Sequence, residues 1–324
     1  MTLSEFTTKM NQWGKNKIPF FFMVDFEMRK PEIIKLSTIA SGDVLYAING
    51  VSNINNKTVA STNSIAIQKS PGSLSDYENK FNQVFKHLSY GDTFLTNLTV
   101  ATEVKLPDTL KNIFLQCDAK YKLFYKDQFL VFSPETFVKI SRGKIYSFPM
   151  KGTIDATIPN AKQKILSDKK ELAEHVTIVD LIRNDLSQVA TDVTVNRFRY
   201  IDEVRTGAKN LFQVSSEISG QLSDDYENCL GTILLKLLPA GSVSGAPKPK
   251  TLEIIKAVEG EDRGYYTGVF GYFDGNELDS GVMIRFIENR SGKYFYRSGG
   301  GITTQSLVES EYQEAIDKVY VPVA

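Results

Sequence analysis

"YYTGVFGYFDGNELDSGVMIRFIENRSGKYFYRSGGGI", residues 265–302, decides the fold class of this chain. Three runs rich in Val, Ile, Phe and Tyr, at 265–274, 278–289 and 293–302, are separated only by short segments that contain Gly and Asn or Ser. Such runs are typical of β-strands, and strands joined by short turns pair antiparallel. No helical pattern separates them, so this stretch predicts an antiparallel sheet.

The same pattern continues outward along the chain. Further β-like runs lie near 18–26, 43–48, 93–103, 121–132, 136–149, 193–204 and 211–222, and helical patterns lie near 75–89, 168–187, 225–238, 247–259 and 306–320. Because strands arrive in groups, an α+β fold with large antiparallel sheets is favoured over a doubly wound parallel sheet. The length of the chain allows one large domain or two smaller ones.

Composition narrows the possible partners. The 324 residues are 42% hydrophobic and 23% charged, with a formal net charge of zero, so no overall charge attracts nucleic acid or an anionic membrane. An anionic substrate therefore needs a local cluster of cations. Cys117 and Cys229 lie far apart, the N-terminus lacks the apolar core of a signal peptide, and the apolar run 18–24 is too short to span a bilayer. We expect a cytoplasmic protein.

Pairs of glutamates occur on two predicted helices. Glu171 and Glu174 lie three residues apart, and Glu311, Glu314 and Lys318 form one stripe. Two such helices could hold a hard cation between them, and because the chain has only two histidines, a metal here would need carboxylates, which points to Mg²⁺. Solvated helix faces are the alternative, since periodicity cannot show that the helices meet. Apolar stripes on other faces predict core packing (Leu172, Val176 and Val179; Tyr312, Ile316 and Val319).

Two segments of small residues are candidates for anion binding. Residues 241–246 precede Pro247 and a predicted helix, whose first N–H groups could face an anion. The segment is not a Walker A loop, because no Gly-Lys-Ser/Thr follows at the required spacing. Three glycines in "RSGGGI", residues 297–302, could let the backbone approach a ligand. Tight turns or close packing of elements would explain both segments equally well.

Lys151 stands out in "SFPMKGTIDA", residues 147–156. An apolar, extended run ends at this lysine, and Gly152 and Thr153 follow as a predicted tight turn. The ordinary interpretation is an exposed lysine whose stem lies along apolar surface at a strand end. A functional amine is the alternative, and the other motifs of the chain favour it.

A set of motifs occurs together and in a fixed order: "SPE" (133–135), "PMKGT" (149–153), "KKELAEHVTIVDLIRNDL" (169–186), "LPAGSVSGAPK" (238–248), "RGYYTGVFGY" (263–272), "IRF" (284–286), "SGGGI" (298–302) and "EYQEAIDK" (311–318). Together they resemble the chorismate-utilising enzymes, a family that includes anthranilate, aminodeoxychorismate, isochorismate and salicylate synthases. The resemblance runs from about residue 75 to the end. It implies a single large domain over 1–324, an α+β unit of stacked antiparallel sheets flanked by helices, with the site in a cleft between the sheets. In this domain 1–74 would be a shortened N-terminal part of the sheets, and 75–324 would bear the motifs.

The resemblance also implies a role for each matching residue. Glu174 and Glu314 would hold Mg²⁺ directly, with Glu171 and Glu311 in support. The family positions that receive the substrate match Arg285, Lys318, the backbone of Gly300 and Gly301, Ser242, Tyr266 and Gln213. Chorismate, a dianion, would be the ligand of this cationic group.

Glu135 and Lys151 match the positions at which the family does its chemistry. Glu135 would protonate the departing 4-hydroxyl of chorismate, which requires a raised pKa. The form "P-x-K-G-T" is characteristic of aminodeoxychorismate synthases, in which the lysine adds at C2 before ammonia attacks C4. An attacking lysine must be unprotonated, so its pocket should lower its pKa. The resemblance thus implies amination of chorismate on the route to 4-aminobenzoate and folate, with ammonia from a separate glutamine amidotransferase subunit.

Two departures from the family pattern bear on the reaction. Leu95 stands where isochorismate and salicylate synthases carry a lysine that activates water, which makes attack by water at C2 unfavourable. Gln213 replaces a histidine that is associated with loss of pyruvate in anthranilate synthases. Anthranilate synthase component I and isochorismate synthase remain the alternatives, and a non-catalytic chorismate-binding subunit is a third. The segments that bind tryptophan in larger relatives are not recognisable, so we expect no tryptophan feedback.

Overall fold

The computed structural model describes residues 1–39, 42–54, 65–205 and 210–323. Within this part, the helices are α1 (Leu3–Lys15), α2 (Leu74–Tyr90), α3 (Leu110–Gln116), α4 (Ala161–Ser167), α5 (Lys169–Ser187), α6 (Leu230–Leu237), α7 (Lys248–Glu259) and α8 (Val308–Asp317). The strands are β1 (Phe20–Val24), β2 (Glu32–Lys35), β3 (Val44–Ile48), β4 (Val51–Ser52), β5 (Gln68–Ser70), β6 (Leu95–Lys105), β7 (Tyr121–Tyr125), β8 (Phe129–Ser133), β9 (Thr136–Ser141), β10 (Lys144–Ser147), β11 (Met150–Asp155), β12 (Thr191–Arg205), β13 (Asn210–Gln221), β14 (Gly245–Ala246), β15 (Val269–Phe273), β16 (Leu278–Val282), β17 (Phe286–Arg290) and β18 (Lys293–Ile302).

The strands form two antiparallel sheets. The first has the order β11-β13-β10-β9-β16-β15-β1-β2, with β12 paired to β13. The second has the order β14-β6-β18-β17-β8-β7-β3-β4, with β5 paired to β6. Every pairing between these strands is antiparallel, for example Val269 opposite Val282 and Phe286 opposite Arg297. The predicted α+β class with stacked antiparallel sheets is confirmed.

One run of the opening stretch contributes to both sheets. The sequence predicts a single strand over 278–289, but β16 belongs to the first sheet and β17 to the second. The break lies between Val282 and Phe286, where Arg285 has a φ of +54°, in the left-handed region that interrupts a strand. This crossing brings Arg285 to the junction of the two sheets.

Aromatic side chains fill the space between the sheets. The ring of Phe21 from β1 stacks on that of Tyr46 from β3, with centroids 5.4 Å apart. Tyr121 of β7 meets Phe270 of β15 edge to face at 6.5 Å. Gly281 permits this approach, because a Cβ there would lie 2.6 Å from Cγ of Tyr121. Burial of these rings supplies a large part of the apolar area that holds the sheets together.

Helices cover the outer faces of both sheets. Apolar residues of α1, α5 and α6 pack on the first sheet, and those of α2, α3, α7 and α8 pack on the second. Of the apolar stripe predicted on α5, only Val179 is buried, whereas Leu172 and Val176 are exposed. That part of the prediction is wrong because α5 turns its second half, rather than its first, toward the core.

Several shorter elements differ from the prediction. Helices α1, α3 and α4 were not predicted, although Thr2 and Glu5 form a capping box at the start of α1 that the sequence displays. The runs 121–132 and 136–149 each divide into a hairpin, because Lys126 and Arg142 occupy left-handed turns. The composition of residues 52–72 predicts a loop, and part of this stretch, 55–64, lies outside the described residues. No helix in the described ranges is both long and apolar enough to cross a membrane.

Candidate active site

Lys151 lies on β11, at the edge of the first sheet. Strand β11 pairs with β13, and the register shifts between Met150 and Thr153. Gly152, inside this irregularity, has a φ of +82°, which glycine adopts without strain. The tight turn predicted after Lys151 is therefore wrong, since the chain continues as a bulged strand. A bulge of this kind re-aims the side chains beside it.

The amine of Lys151 points toward helix α5 and strand β18. Its Nζ lies 2.8 Å from Oε2 of Glu174, and the side chain is 30% exposed. The same Nζ lies 3.8 Å from the position that a Cβ on Gly301 would take, and Cδ1 of Leu95 lies 2.9 Å from that position. Lys151 is thus held between a carboxylate, a glycine backbone and an apolar side chain. The interpretation as a freely exposed lysine is wrong.

Two glutamates of helix α8, Glu311 and Glu314, approach Gly300 of β18. Three polar atoms lie around the position that a Cβ on Gly300 would take: Oε2 of Glu311 at 3.3 Å, Nζ of Lys318 at 3.7 Å and Oε1 of Glu314 at 3.8 Å. Lys318 forms an ion pair with Glu314 at 2.6 Å and donates to the carbonyl of Gly299 at 2.8 Å. Helices α5 and α8 therefore bring their glutamates to the same segment of β18, which periodicity alone could not establish.

The electrostatics of the two lysines differ. Burial lowers the pKa of Lys151, but Glu174, together with Glu314 and Glu171, raises it by more, so the net shift is upward. Burial also lowers the pKa of Lys318, and the positive charges of Arg285 and Lys151 lower it further. Together these effects outweigh the attraction of Glu314, so the net shift is downward. The lowered pKa that the sequence analysis requires of Lys151 is not found in this arrangement, because its carboxylate neighbours favour the charged amine.

The four predicted glutamates have the donor chemistry of Mg²⁺ ligands. All offer carboxylate oxygens, which this ion prefers. Glu171 belongs to the group too, since its Oε2 lies 2.7 Å from the position of a Cβ on Gly152. Within the described ranges no three acidic, histidine or cysteine side chains are already grouped as a metal site. The donor chemistry fits Mg²⁺, and the ion would compete with the ammonium groups of Lys151 and Lys318 for these oxygens.

Glu135 lies in the short link between β8 and β9. Its N–H donates to Oγ of Ser133 at 3.0 Å, and its carbonyl accepts from the N–H of Val282 at 3.1 Å. The hydroxyl of Ser242 donates a short hydrogen bond to Oε1 of Glu135. The predicted acid and the predicted substrate-binding serine are therefore in direct contact.

Burial raises the pKa of Glu135, and this effect outweighs the hydrogen bond from Ser242 and the positive charges of Arg285, Lys318 and Lys151. A carboxyl group with a raised pKa keeps its proton closer to neutral pH, which a general acid needs. The same three cations place Glu135 in the electrostatic field of the lysine and glutamate cluster.

Arg285 and Tyr266 lie next to this cluster. Nη1 of Arg285 is 3.5 Å from the carbonyl of Lys318, and its guanidinium lies 5.2 Å from the ring centroid of Tyr320. Tyr266 is buried, with its ring 5.8 Å from that of Phe286. Tyr266 therefore forms part of the wall behind Arg285 rather than an exposed contact surface.

Gln213 lies with Arg285 in a cleft that the two predicted catalytic residues do not line. It lines a cleft of about 570 Å³ together with Arg285, Met150 and Tyr200. Lys151 and Glu135 are not among the residues that line this cleft. In the β11–β13 pairing, Gln213 lies opposite Thr153. The structure thus places Gln213 near Arg285, on the side of β11 that Met150 faces.

The apolar surroundings of Leu95 are a feature that sequence reasoning missed. Leu95 is buried against Ile178 and Leu181 of α5, and Ala246 packs against the same cluster. Ile178 and Leu181 lie one and two turns beyond Glu174 on the helix that carries it, a spacing that the sequence displays. This cluster forms an apolar wall on one side of the amine of Lys151, with the carboxylate of Glu174 on another.

Comparison with known proteins gives three kinds of similarity. A sequence model of the family described as chorismate binding enzyme matches residues 26–324. A protein of Pasteurella multocida (strain Pm70), named as an uncharacterised PabA-like protein, is 49% identical over 323 residues, which is 100% of both chains. Aminodeoxychorismate synthase component 1 of Escherichia coli (strain K12) is 32% identical over 260 residues, which cover 75% of this chain and 56% of that protein.

A solved structure supports the same relationship. The crystal structure of anthranilate synthase component I from Streptococcus pneumoniae TIGR4 matches with a TM-score of 0.65 and 26% identity, over 80% of this chain and 59% of that one. Similarity therefore extends to relatives named for two different reactions. The residues around Lys151 must distinguish between them.

Proposed function

Because the chain belongs to the chorismate binding enzymes, we propose that it is the aminating component of an aminodeoxychorismate synthase. It would convert chorismate and ammonia to 4-amino-4-deoxychorismate, on the route to 4-aminobenzoate and folate. The observation that carries the proposal is the amine of Lys151, 2.8 Å from Glu174 and facing the Gly301 backbone beside an apolar wall. An amine held there can add to carbon, whereas the side chain of Leu95 on the apolar wall cannot act as a base for a water molecule.

In the proposed reaction, Lys151 adds at C2 of chorismate as the hydroxyl leaves C4. Glu135 donates its proton to that hydroxyl, which departs as water. Ammonia then attacks C4, the bond to Lys151 breaks, and the proton lost by the new amine returns to Glu135. The raised pKa of Glu135, caused by burial, suits the first proton transfer.

The ion pair with Glu174 favours the protonated form of Lys151 in this structure. The proposal therefore requires that contact to be released when substrate is bound, and one ammonium proton of Lys151 to pass to solvent before the neutral amine adds at C2. Glu174 and Glu314, supported by Glu171 and Glu311, would hold Mg²⁺, which supplies a positive charge for a substrate carboxylate. Arg285, Lys318 and the Gly300–Gly301 backbone are the proposed partners of the substrate's anionic groups, near Ser242 and Tyr266, and Gln213 would contact the substrate from the adjoining cleft.

Ammonia would come from a separate glutamine amidotransferase subunit. The aligned Escherichia coli relative is named as component 1, which is consistent with a second component. Neither Cys117, which is buried, nor Cys229 has the setting of a glutaminase nucleophile. Two unpaired cysteines also agree with the reducing cytoplasm as the place of action.

The test incubates the purified chain with chorismate, Mg²⁺ and ammonium, and identifies the product by liquid chromatography and mass spectrometry. We expect a product that retains the enolpyruvyl group and carries an amine at C4, and that a suitable lyase converts to 4-aminobenzoate. Intact-mass analysis of the protein during turnover should detect a chorismate-derived adduct, and peptide mapping should locate it on Lys151. Absence of any aminated product contradicts the proposal.

Anthranilate synthase is the second candidate, because the solved relative with 26% identity is named for that activity. Its product lacks the enolpyruvyl group and fluoresces, so the same assay distinguishes the two reactions. Anthranilate formed by the wild-type protein, and retained by Lys151→Ala, would assign the chain to this second reaction.

A further inference from the structure

The turn that carries Ser242 is clamped from outside the proposed site. Residues Gly241–Val243 form a single turn of 3-10 helix between α6 and α7. A Cβ on Gly241 would lie 2.8 Å from Oδ2 of Asp185 and 3.1 Å from the side chain of Leu181. Glycine therefore lets Asp185, near the end of α5, approach the turn closely.

Asp185 is itself held by Lys248, the first residue of α7. Nζ of Lys248 lies 2.8 Å from Oδ2 of Asp185 and donates to the carbonyl of Leu237 at 3.2 Å. Both side chains are mostly buried, at 9% exposure for Asp185 and 15% for Lys248. The ion pair thus ties α5, the end of α6 and the start of α7 together around one turn.

A small cavity connects this ion pair to the proposed acid. Asp185, Ser242 and Glu135 line the same cavity of about 20 Å³, which is room for about one water molecule. Beyond this cavity, Arg285, Lys318 and Lys151 are the charged groups that act on Glu135. Asp185 therefore shares a small cavity with the two residues of the Glu135–Ser242 hydrogen bond.

We propose that Asp185 and Lys248 are positioning residues: their ion pair fixes the Gly241–Val243 turn so that the hydroxyl of Ser242 donates to Glu135. The inference rests on the proposed role of Glu135 as the acid. Ser242 stabilises the charged form of Glu135, whose pKa would otherwise be higher still. Loss of the clamp should therefore have the same consequence as loss of the hydroxyl.

The experiment measures the titration of Glu135 by infrared difference spectroscopy, with its protonated carboxyl band assigned by Glu135→Gln. This readout does not need turnover, so it stays informative if the proposed reaction is wrong. Ser242→Ala should raise the titration midpoint by roughly one pH unit, the scale of a hydrogen bond to a carboxylate. Asp185→Asn and Lys248→Met should each raise it in the same direction.

The signs of the two shifts in the titration midpoint of Glu135 distinguish positioning from a simple charge effect. Through charge alone, Asp185→Asn would lower the midpoint of Glu135, because a nearby negative charge is lost, while Lys248→Met would raise it. An increase in both variants supports positioning, and opposite shifts overturn it. The double variant Asp185→Asn/Ser242→Ala should match Ser242→Ala, whereas additive shifts overturn the proposal.

Asp279→Asn is the matched control. Asp279, on β16, is also a buried aspartate paired with a lysine, Lys139, at 3.0 Å, but its hydrogen-bond donors are Tyr121 and Asn49, which are not part of the turn. It should cost stability without moving the midpoint of Glu135, and an equal shift there would overturn the proposal. If Asp185→Asn does not fold, Lys248→Met carries the test. Where chorismate is consumed, the alkaline limb of the pH–rate profile should move upward in the same variants.

Discussion

Two ion pairs in this protein, Arg263 with Glu259 and Lys151 with Glu174, join the same kinds of charge in different surroundings. Arg263 is buried and binds both oxygens of Glu259, at 2.8 and 2.7 Å. Its remaining donors reach the carbonyls of Val243 and Asn97 at 2.8 and 2.7 Å. Glu259 accepts two further hydrogen bonds from Thr99. Every charge here is matched within the protein.

Lys151 is different, because it meets Glu174 as a point charge beside the Gly301 backbone. An ammonium on a flexible stem can leave its carboxylate without breaking a planar, bidentate geometry. The Lys318–Glu314 pair has the same character, at 2.6 Å with Lys318 27% exposed. The comparison teaches that a bidentate, fully matched pair stabilises the fold, whereas the more exposed lysine contacts of Lys151 and Lys318 can be exchanged for a ligand.

Removal of the amine should give the largest effect. Lys151→Ala should lower the rate of amination by on the order of 10³-fold or more, because a group that acts in the chemical step is lost. Its unfolding transition should stay close to that of the wild type. Steady-state kinetics with ammonium and thermal unfolding measure the two quantities.

Lys122→Ala is the control for that variant. Lys122 donates to the carbonyls of Phe114 and Cys117, at 3.1 and 2.7 Å, away from the cleft. Its loss should lower stability and leave amination nearly unchanged. Equal rate losses in the two variants would show that the rate reports folding rather than chemistry.

Breaking the structural pair should invert the pattern. Arg263→Met leaves Glu259 as a buried, unmatched charge, which costs about 3–5 kcal/mol of unfolding free energy. Urea titration measures the loss. The double variant Arg263→Met/Glu259→Met should recover part of it, since both charges are then gone. If Arg263→Met alone leaves the free energy of unfolding unchanged, the distinction drawn between the two pairs is contradicted.

Adding a methyl group at Gly301, beside Lys151, should give an intermediate effect. Gly301→Ala places a methyl group 2.9 Å from Leu95 and 3.8 Å from the amine of Lys151. A methyl group this close to Leu95 should displace the side chains around the amine of Lys151, which should lower kcat/KM by roughly tenfold to a hundredfold. Gly72→Ala is the control, because nothing lies within 4 Å of its added methyl. Similar losses in both variants would argue against a site at Gly301.

Sequence reasoning reached the fold because hydrophobic periodicity and short turns are local signals. Consecutive strands in residues 265–302 required an antiparallel arrangement. The same reasoning gave one strand at 278–289 where there are two, because the left-handed backbone of Arg285 is imposed by the junction of the sheets. Propensity carries no information about such a crossing. Helix α1 was missed although its capping box is visible at Thr2 and Glu5.

For the site, the sequence provided the residues but not their surroundings. The motif order named Lys151, Glu174 and Glu314, and the structure brings them together at β18. The pKa of Lys151 was expected to be lowered, yet it is raised, because the balance between burial and carboxylates depends on distances that no pattern encodes. The Asp185–Lys248 clamp was equally invisible, since its residues lie 63 positions apart.

A third ion pair should show the smallest effect and complete the comparison. Lys250 and Glu253 lie 3.1 Å apart on the exposed face of α7, with side chains 47% and 69% exposed. Water competes for both charges, so Lys250→Ala should shift neither the unfolding midpoint nor the amination rate beyond experimental error. Raising the salt concentration should leave the difference between this variant and the wild type close to zero. A clear loss in either measurement would mean that side-chain exposure does not distinguish ion pairs that stabilise the protein from those that do not. The role of the Lys151–Glu174 pair would then depend on detection of the adduct on Lys151 alone.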